Sequence, residues 1–200
     1  MSKDSVSYRS VGDQVPMRTR LLKAASELFA KKGYHASSLM DIARHCGVRK
    51  STVFHHFPSK EALALETVQL VQVYCESELA NCLKSGLSKS PEQRAIDFIK
   101  FIQKTLQDRP EIFLVNFIAL ELVDKANSPF NQPIKTYFAT WEQALLEILT
   151  SLQGKTRAPS LATWSLVYLQ GMQMMAKINQ DSAVFRQIPS YLLGLWGLSS

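Results

Sequence analysis

The chain has 200 residues, 46% of them apolar, and a formal charge of +6. That is enough apolar material to bury the core of one or two helical domains. No run of 18 apolar residues occurs and no charged-then-apolar leader opens the sequence, so neither a membrane span nor a secretory signal is expected, and a soluble, cytoplasmic protein is.

The charge is unevenly spread. Residues 1–60 contain eleven Lys/Arg and four Asp/Glu, a net +7, whereas residues 61–200 contain twelve and thirteen, a net −1. A cationic excess confined to one end is what contact with phosphates requires. Cys46, Cys75 and Cys82 are odd in number and lack CxxC spacing, which fits neither a disulfide framework nor a zinc knuckle. Cys75 and Cys82 share one face of a helix. Small buried hydrophobes are the economical reading, with a thiol sensor as the alternative.

Residues 1–16 are polar, lack periodicity and end at Pro16, as a disordered arm does. Arg9, with Arg18 and Arg20 just beyond, would be the cations that touch DNA, and Met17 is a second candidate start. A first helix is expected over 17–32, with Leu21, Leu22, Ala25, Leu28 and Phe29 as its core stripe and Gly33 as its stop.

Residues 38–60, SLMDIARHCGVRKSTVFHHFPSK, carry the most informative pattern. Ser38 stands where an N-cap stands, and Asp41 three residues later can return the bond. Leu39, Ile42 and Ala43 make one apolar stripe, Gly47 can end the helix in the left-handed region, and Val48 plugs the turn. A second helix should run from Arg49 or Lys50 to Phe57, with Pro58 stopping it. On a 3.6-residue wheel Val53 and Phe57 face the first helix, while Ser51, Thr52 and His55 face outward. Lys50, in the first turn, can reach around with its long stem. Small hydroxyls, an imidazole and nearby cations on one open face suit the major groove of DNA. His45, Cys46, His55 and His56 cluster in sequence, but adjacent helical positions point about 100° apart, so no metal site is expected.

Ser59 should cap a long helix to about residue 85, with Leu63, Val68, Val71, Cys75, Leu79 and Leu83 inward and Lys60 near a phosphate. Gly86–Ser90 reads as a loop. Ser90, Pro91 and Gln93 then give an N-cap, an N1 proline and a capping-box partner. Ala95, Phe98, Ile99, Ile102 and Leu106 follow, closed by Pro110. Further helices are expected over 111–124, 134–152, 160–178 and 183–198, with Asn127–Pro133 a loop. The last two are apolar almost all round, which requires burial on every side and points to subunit contact. Trp164, Tyr168, Met172 and Met175, with Leu192, Leu195 and Trp196, would form it.

The run LLKAASELFAKKGYHASSLMDIARHCGV, followed by STVFHHFPSKEAL, resembles the TetR family of transcriptional regulators. The resemblance covers the first third of the chain without a gap. It implies an all-α fold of about nine helices: a disordered arm over 1–16, a three-helix helix-turn-helix domain over 17–62, and a ligand-binding and dimerisation domain over 63–200. It further implies a homodimer bound to double-stranded operator DNA, an inverted repeat, and released by a small-molecule effector. The family's DNA-contact positions fall on Ser38, Lys50, Thr52, Phe54, His55 and Lys60, and Arg49 and Ser51 belong to the same helix. Arg49 replaces a frequent hydroxyl residue, Ser51 a frequent Gly and Phe54 a frequent Tyr, so the operator sequence does not carry over.

No nucleophile elbow, phosphate loop, HExxH or paired carboxylates occur, so no enzyme and no cofactor are expected. A mainly apolar effector could be lined by Phe113, Asn116, Phe117, Tyr137, Trp141, Met172, Gln173 and Met175, although aromatic and Met residues at helical spacing are also what plain core looks like. Wedged between the long helix and the aromatic helices, it would tilt that helix as a lever. The alternative is a DNA architectural or thiol-sensing regulator without an inducer.

Overall fold

Helix α1, Met17–Lys32, forms where Leu21, Ala25, Leu28 and Phe29 recur at helical spacing, and all four are buried. Taking a side chain as large as Leu21, Leu28 or Phe29 from water stabilises by about 1.5–3 kcal/mol. The computed structural model describes residues 15–109, 112–122 and 127–198. The arm with Arg9, Pro110 and the outer ends of the 111–124 helix lie outside these residues, as does the side chain of Phe113. Arg18 and Arg20 stand in α1, past the expected arm. Arg18 pairs with Glu66 and lies 4.9 Å from the Phe57 ring centre, and Arg20 donates to the Cys46 carbonyl at 3.1 Å.

Helices α2 (Leu39–His45) and α3 (Lys50–His56) complete the headpiece. Their turn holds Gly47 at φ 68°, and the Val48 amide donates back to the Ala43 carbonyl at 2.9 Å. Val48 is half-buried and packs on the core, as its place in the turn demands. Helix α4, Lys60–Ser85, starts at Ser59, whose hydroxyl accepts the Ala62 amide at 3.0 Å. It buries Leu63, Val68, Val71, Cys75 and Leu79 and leads into the body.

The body comprises α5 (Pro91–Asp108), α6 (Phe113–Leu122), α7 (Asn131–Asn179) and α8 (Ile188–Trp196). Ser90 caps α5 as expected. The Gln93 side chain, however, turns forward to the Asp97 carboxylate at 2.9 Å instead of returning a capping bond. Three expected boundaries move. Helix α7 begins at Asn131, because Pro133 in the first turn replaces an amide that has no helical partner there. The expected gap at 153–159 is helical apart from one residue, and the expected helix over 183–198 opens as a 3-10 helix, Ser182–Gln187.

That one residue is Gly154, at φ 76° and ψ 167°, which divides α7 into a first limb over 131–153 and a second over 155–179. This backbone region is essentially restricted to glycine. Helix α8 folds back on the second limb. The Trp196 indole N–H donates to the Ser165 hydroxyl at 2.8 Å, and the Gln153 amide donates to the Trp196 carbonyl at 2.6 Å. Leu192 and Trp196 are therefore core of the single subunit, which corrects their expected place in a subunit contact.

A consequence is testable at Gly154. Among the described residues nothing stands within 4 Å of a Cβ built there, so the cost of Gly154→Ala is expected from the backbone. The substitution should destabilise the fold by about 1–3 kcal/mol, read as a lower urea midpoint with an unchanged slope.

Candidate nucleic-acid interface

The local sequence folds the headpiece by capping first. The Ser38 hydroxyl accepts the Asp41 amide at 3.1 Å, and the Asp41 carboxylate accepts the Ser38 amide at 3.0 Å. The same carboxylate accepts a hydrogen bond from the Ser38 hydroxyl at 2.6 Å. Ser38 is exposed, so it can meet a phosphate, although its hydroxyl already serves the cap. These bonds hold the Asp41 carboxyl below its usual pKa range, with the Ser38 hydroxyl the largest cause.

Helix α3 buries Val53 against α2 and leaves Lys50, Ser51, Phe54 and His55 exposed, a face running i, i+1, i+4, i+5. Thr52 is half-buried on its flank. Arg49 stands at the N-cap without a side-chain cap and is exposed, adding a cation at the start of the helix. Lys50 turns its ammonium toward the Phe54 ring, 5.4 Å from its centre, and Phe54 itself is 47% exposed. Lys60, in the first turn of α4, sits 4.2 Å from the centre of the Tyr34 ring, on the side of the headpiece that faces the body. Burial lowers its ammonium pKa despite the pull of Glu121.

The residues expected to line an effector pocket do not come together in one place. Asn116, Phe117 and Gln173 come together in a cleft of about 190 Å³ between α6 and the second limb of α7, closed by Leu120, Phe138 and Met174. Tyr137 and Trp141 do not reach it. Both are buried, the Tyr137 hydroxyl against Cys75 of α4 and the Trp141 ring stacked 6.4 Å from Phe101 of α5. Met172 is buried in the body, and Met175 is exposed on the outer face of α7. A larger trough of about 810 Å³ between α4 and the first limb of α7, past Glu76, Leu79, Thr140 and Glu147, holds none of the expected residues. Phe138 and Met174 belong to the same aromatic and Met stretch of the sequence, whereas Ala119, Leu120 and Gln170 were missed. Nothing in their spacing on α6 and α7 sets them apart, and only the fold reveals the gap between them.

A small three-helix unit with an open, cationic third helix, carried on an α-helical body, defines a helix-turn-helix DNA-binding protein. Residues 21–67 match the family described as bacterial regulatory proteins, tetR family. Residues 91–190 match the transcriptional regulator LmrA/YxaF-like C-terminal domain. The chain is 35% identical over 185 residues to the HTH-type transcriptional regulator LmrA of Bacillus subtilis, covering 90% of this chain and 95% of that protein. It is 26% identical over 183 residues to the uncharacterized HTH-type transcriptional regulator YxaF of the same organism, 86% and 93% covered. A TetR regulator from Legionella pneumophila superposes with a TM-score of 0.75 at 22% identity, covering 89% of this chain and 96% of that one. The chain belongs to the TetR family and is a DNA-binding transcriptional regulator, not an enzyme. Among the described residues, no helix is long and apolar enough to cross a membrane.

The cap carries a pH signature. A carboxyl whose pKa is lowered by folding contributes its full stabilisation above the unfolded pKa and loses it as pH falls through the folded value. The Ser38 amide should therefore lose protection from hydrogen exchange on acidification through the carboxylate range. In Asp41→Asn that acid-dependent loss should be absent.

Proposed function

We propose that the protein is a homodimeric repressor that binds an inverted-repeat operator and is released from it by a small, mainly apolar effector. The observation that carries the reading is the exposed face of α3, where Arg49, Lys50, Ser51, Phe54 and His55 stand clear of the body while Val53 anchors the helix. Cations supply phosphate attraction, while Ser51, His55 and the flanking Thr52 can discriminate base edges. Phe54 offers an apolar edge suited to a thymine methyl group.

The dimer is supported by an unpartnered apolar stripe on the second limb of α7. Trp164 is 60% exposed and Ile178 64%, with Val167, Gly171 and Met175 between them at helical spacing. Tyr168 and Tyr191 stack at 3.6 Å and extend the stripe onto α8. A contiguous apolar face of this kind marks an interaction surface, and a two-fold axis through it would present two α3 helices to successive major grooves.

A thiol-sensing regulator is less well supported. Cys75 is 2% exposed, and burial raises the thiol pKa of Cys82 and of Cys46. That makes the reactive thiolate scarce.

Two measurements test the reading. Lys50→Ala should weaken binding on every DNA sequence and reduce the slope of log affinity against log salt by about 0.9. An unchanged slope would remove Lys50 from the contact surface. Val167→Glu should shift sedimentation at micromolar concentration from dimer to monomer and lower operator affinity, with the helical content retained. A dimer that survives the substitution would place the two-fold axis elsewhere.

A further inference from the structure

Helix α1 is gripped at its C-terminal end by two charged groups from two different body helices. From α6, the Glu121 carboxylate accepts the Tyr34 amide at 3.1 Å and the His35 amide at 2.7 Å. From the second limb of α7, the Lys177 ammonium donates to the Ala30 carbonyl at 2.6 Å and to the Lys31 carbonyl. Gly33 lies between the grips at φ 88°, and a Cβ there would run into the Glu121 carboxylate. The two charges thus complete the end of α1 from outside: an anion on the free amides beyond it and a cation on its last carbonyls.

Both gripping residues sit one helical turn from the cleft. Phe117 and Glu121 are four apart on α6, and Gln173 and Lys177 are four apart on α7, so each pair lies on one face. Lys177 also stands 4.6 Å from the centre of the Phe117 ring, which lines the cleft. The two helices are tied across the cleft by the Asn116 side-chain amide, which donates to the Gln173 oxygen at 2.5 Å. Gln173 is 4% exposed. The side-chain oxygen of Asn116 is buried without a hydrogen-bond partner among the described residues. A buried acceptor without a partner, on a residue that borders a mainly apolar cleft, calls for a donor.

We propose that this cleft receives a one- or two-ring apolar molecule carrying a single hydrogen-bond donor, and that Glu121 and Lys177 pass its arrival to the headpiece. The proposal rests on the ligand-released reading above and names its site and its relay. The donor satisfies Asn116, and the rings occupy the space beside Phe117, Leu120 and Phe138. The cleft is small, about 190 Å³, and bounded by α6 and α7, so rings seated in it press on both helices. One helix end cannot keep both grips when the helices that supply them separate. Moving Phe117 also removes the ring against which the Lys177 ammonium rests.

The test uses the full-length protein. 2-Naphthol keeps a donor, and 2-methoxynaphthalene keeps the rings and loses it. In calorimetric titration the wild type should bind 2-naphthol about tenfold more tightly, the worth of one net hydrogen bond, and Asn116→Leu should bind the two alike. Equal affinities in the wild type, or no binding of 2-naphthol, would overturn the assignment of the cleft. Hydrogen exchange at the Tyr34 and His35 amides, without DNA, reads the relay. 2-Naphthol should speed it at least about fivefold in the wild type, while Glu121→Gln, which keeps the shape, should exchange fast from the outset and show no further rise. Binding of 2-naphthol that leaves these amides protected overturns the relay. An inverted-repeat duplex selected by the protein from random sequence separates the two ideas. Faster exchange with unchanged DNA affinity would sink ligand release and leave the relay standing. Full release by 2-naphthol in both Glu121→Gln and Lys177→Met would sink the relay and leave ligand release standing.

Discussion

The structure depends on a helix that belongs to two cores at once. Helix α1 supplies Leu21, Ala25 and Phe29 to the headpiece and packs also on α4 and α6 of the body. A linker helix alone would leave the headpiece hinged on Pro58 and Ser59. With α1 seated on α6, the orientation of α3 follows from side-chain packing, which has discrete arrangements and resists continuous bending. Any change in how α6 lies is therefore a change in where the recognition helix points.

How much of this the sequence reveals depends on how local each signal is. The helix-turn-helix unit was legible almost to the residue. Its determinants (the Ser38–Asp41 cap, the Gly47 turn, the Val53 anchor and the Pro58 stop) act within a few positions of one another. Helix α1 and the start of α4 were legible for the same reason. At Gly154 the sequence suggests the end of one helix, with the next beginning only near residue 160. In the structure one glycine turns the chain, and Pro159 is accommodated in the second turn of the new limb.

The body was legible as helices but not as an arrangement. Aromatic residues at helical spacing are core or pocket depending on what faces them, and the sequence does not say what faces them. Tyr137 and Trp141 meet α4 and α5 and are filled in, whereas Asn116, Phe117 and Gln173 border a gap. The same limit applied at the C-terminus. Helix α8 is apolar on most sides because the second limb of α7 covers it, so Leu192 and Trp196 are buried within one subunit. The exposed stripe belongs to α7, at Trp164, Val167, Met175 and Ile178, and overlaps the expected surface only in part. One usable sign was present in the sequence: Glu121 is the single charged residue in FLVNFIALEL. A carboxylate placed in so apolar a helix needs a partner, and its partners turned out to be backbone amides nearly ninety positions away.

Magnitudes favour a junction built this way. Coupling between an effector site and a binding site generally amounts to about 1–3 kcal/mol, and a hydrogen bond to a charged group contributes about 1.5–3 kcal/mol when sheltered from water. The grips on α1 are partly exposed, so each falls toward the lower end of that range. Losing one grip is then comparable in size to such a coupling, and neither grip is part of the headpiece's own core of Leu21, Ile42, Val53 and Phe57, which is fully buried. A purely apolar junction would hold α1 more tightly but would give way only by exposing large side chains, at about 25 cal/mol for each square ångström. Charged groups reaching from two separate helices to one helix end make a contact strong enough to set an orientation, and the proposed ligand would need no more than a coupling of ordinary size to reset it.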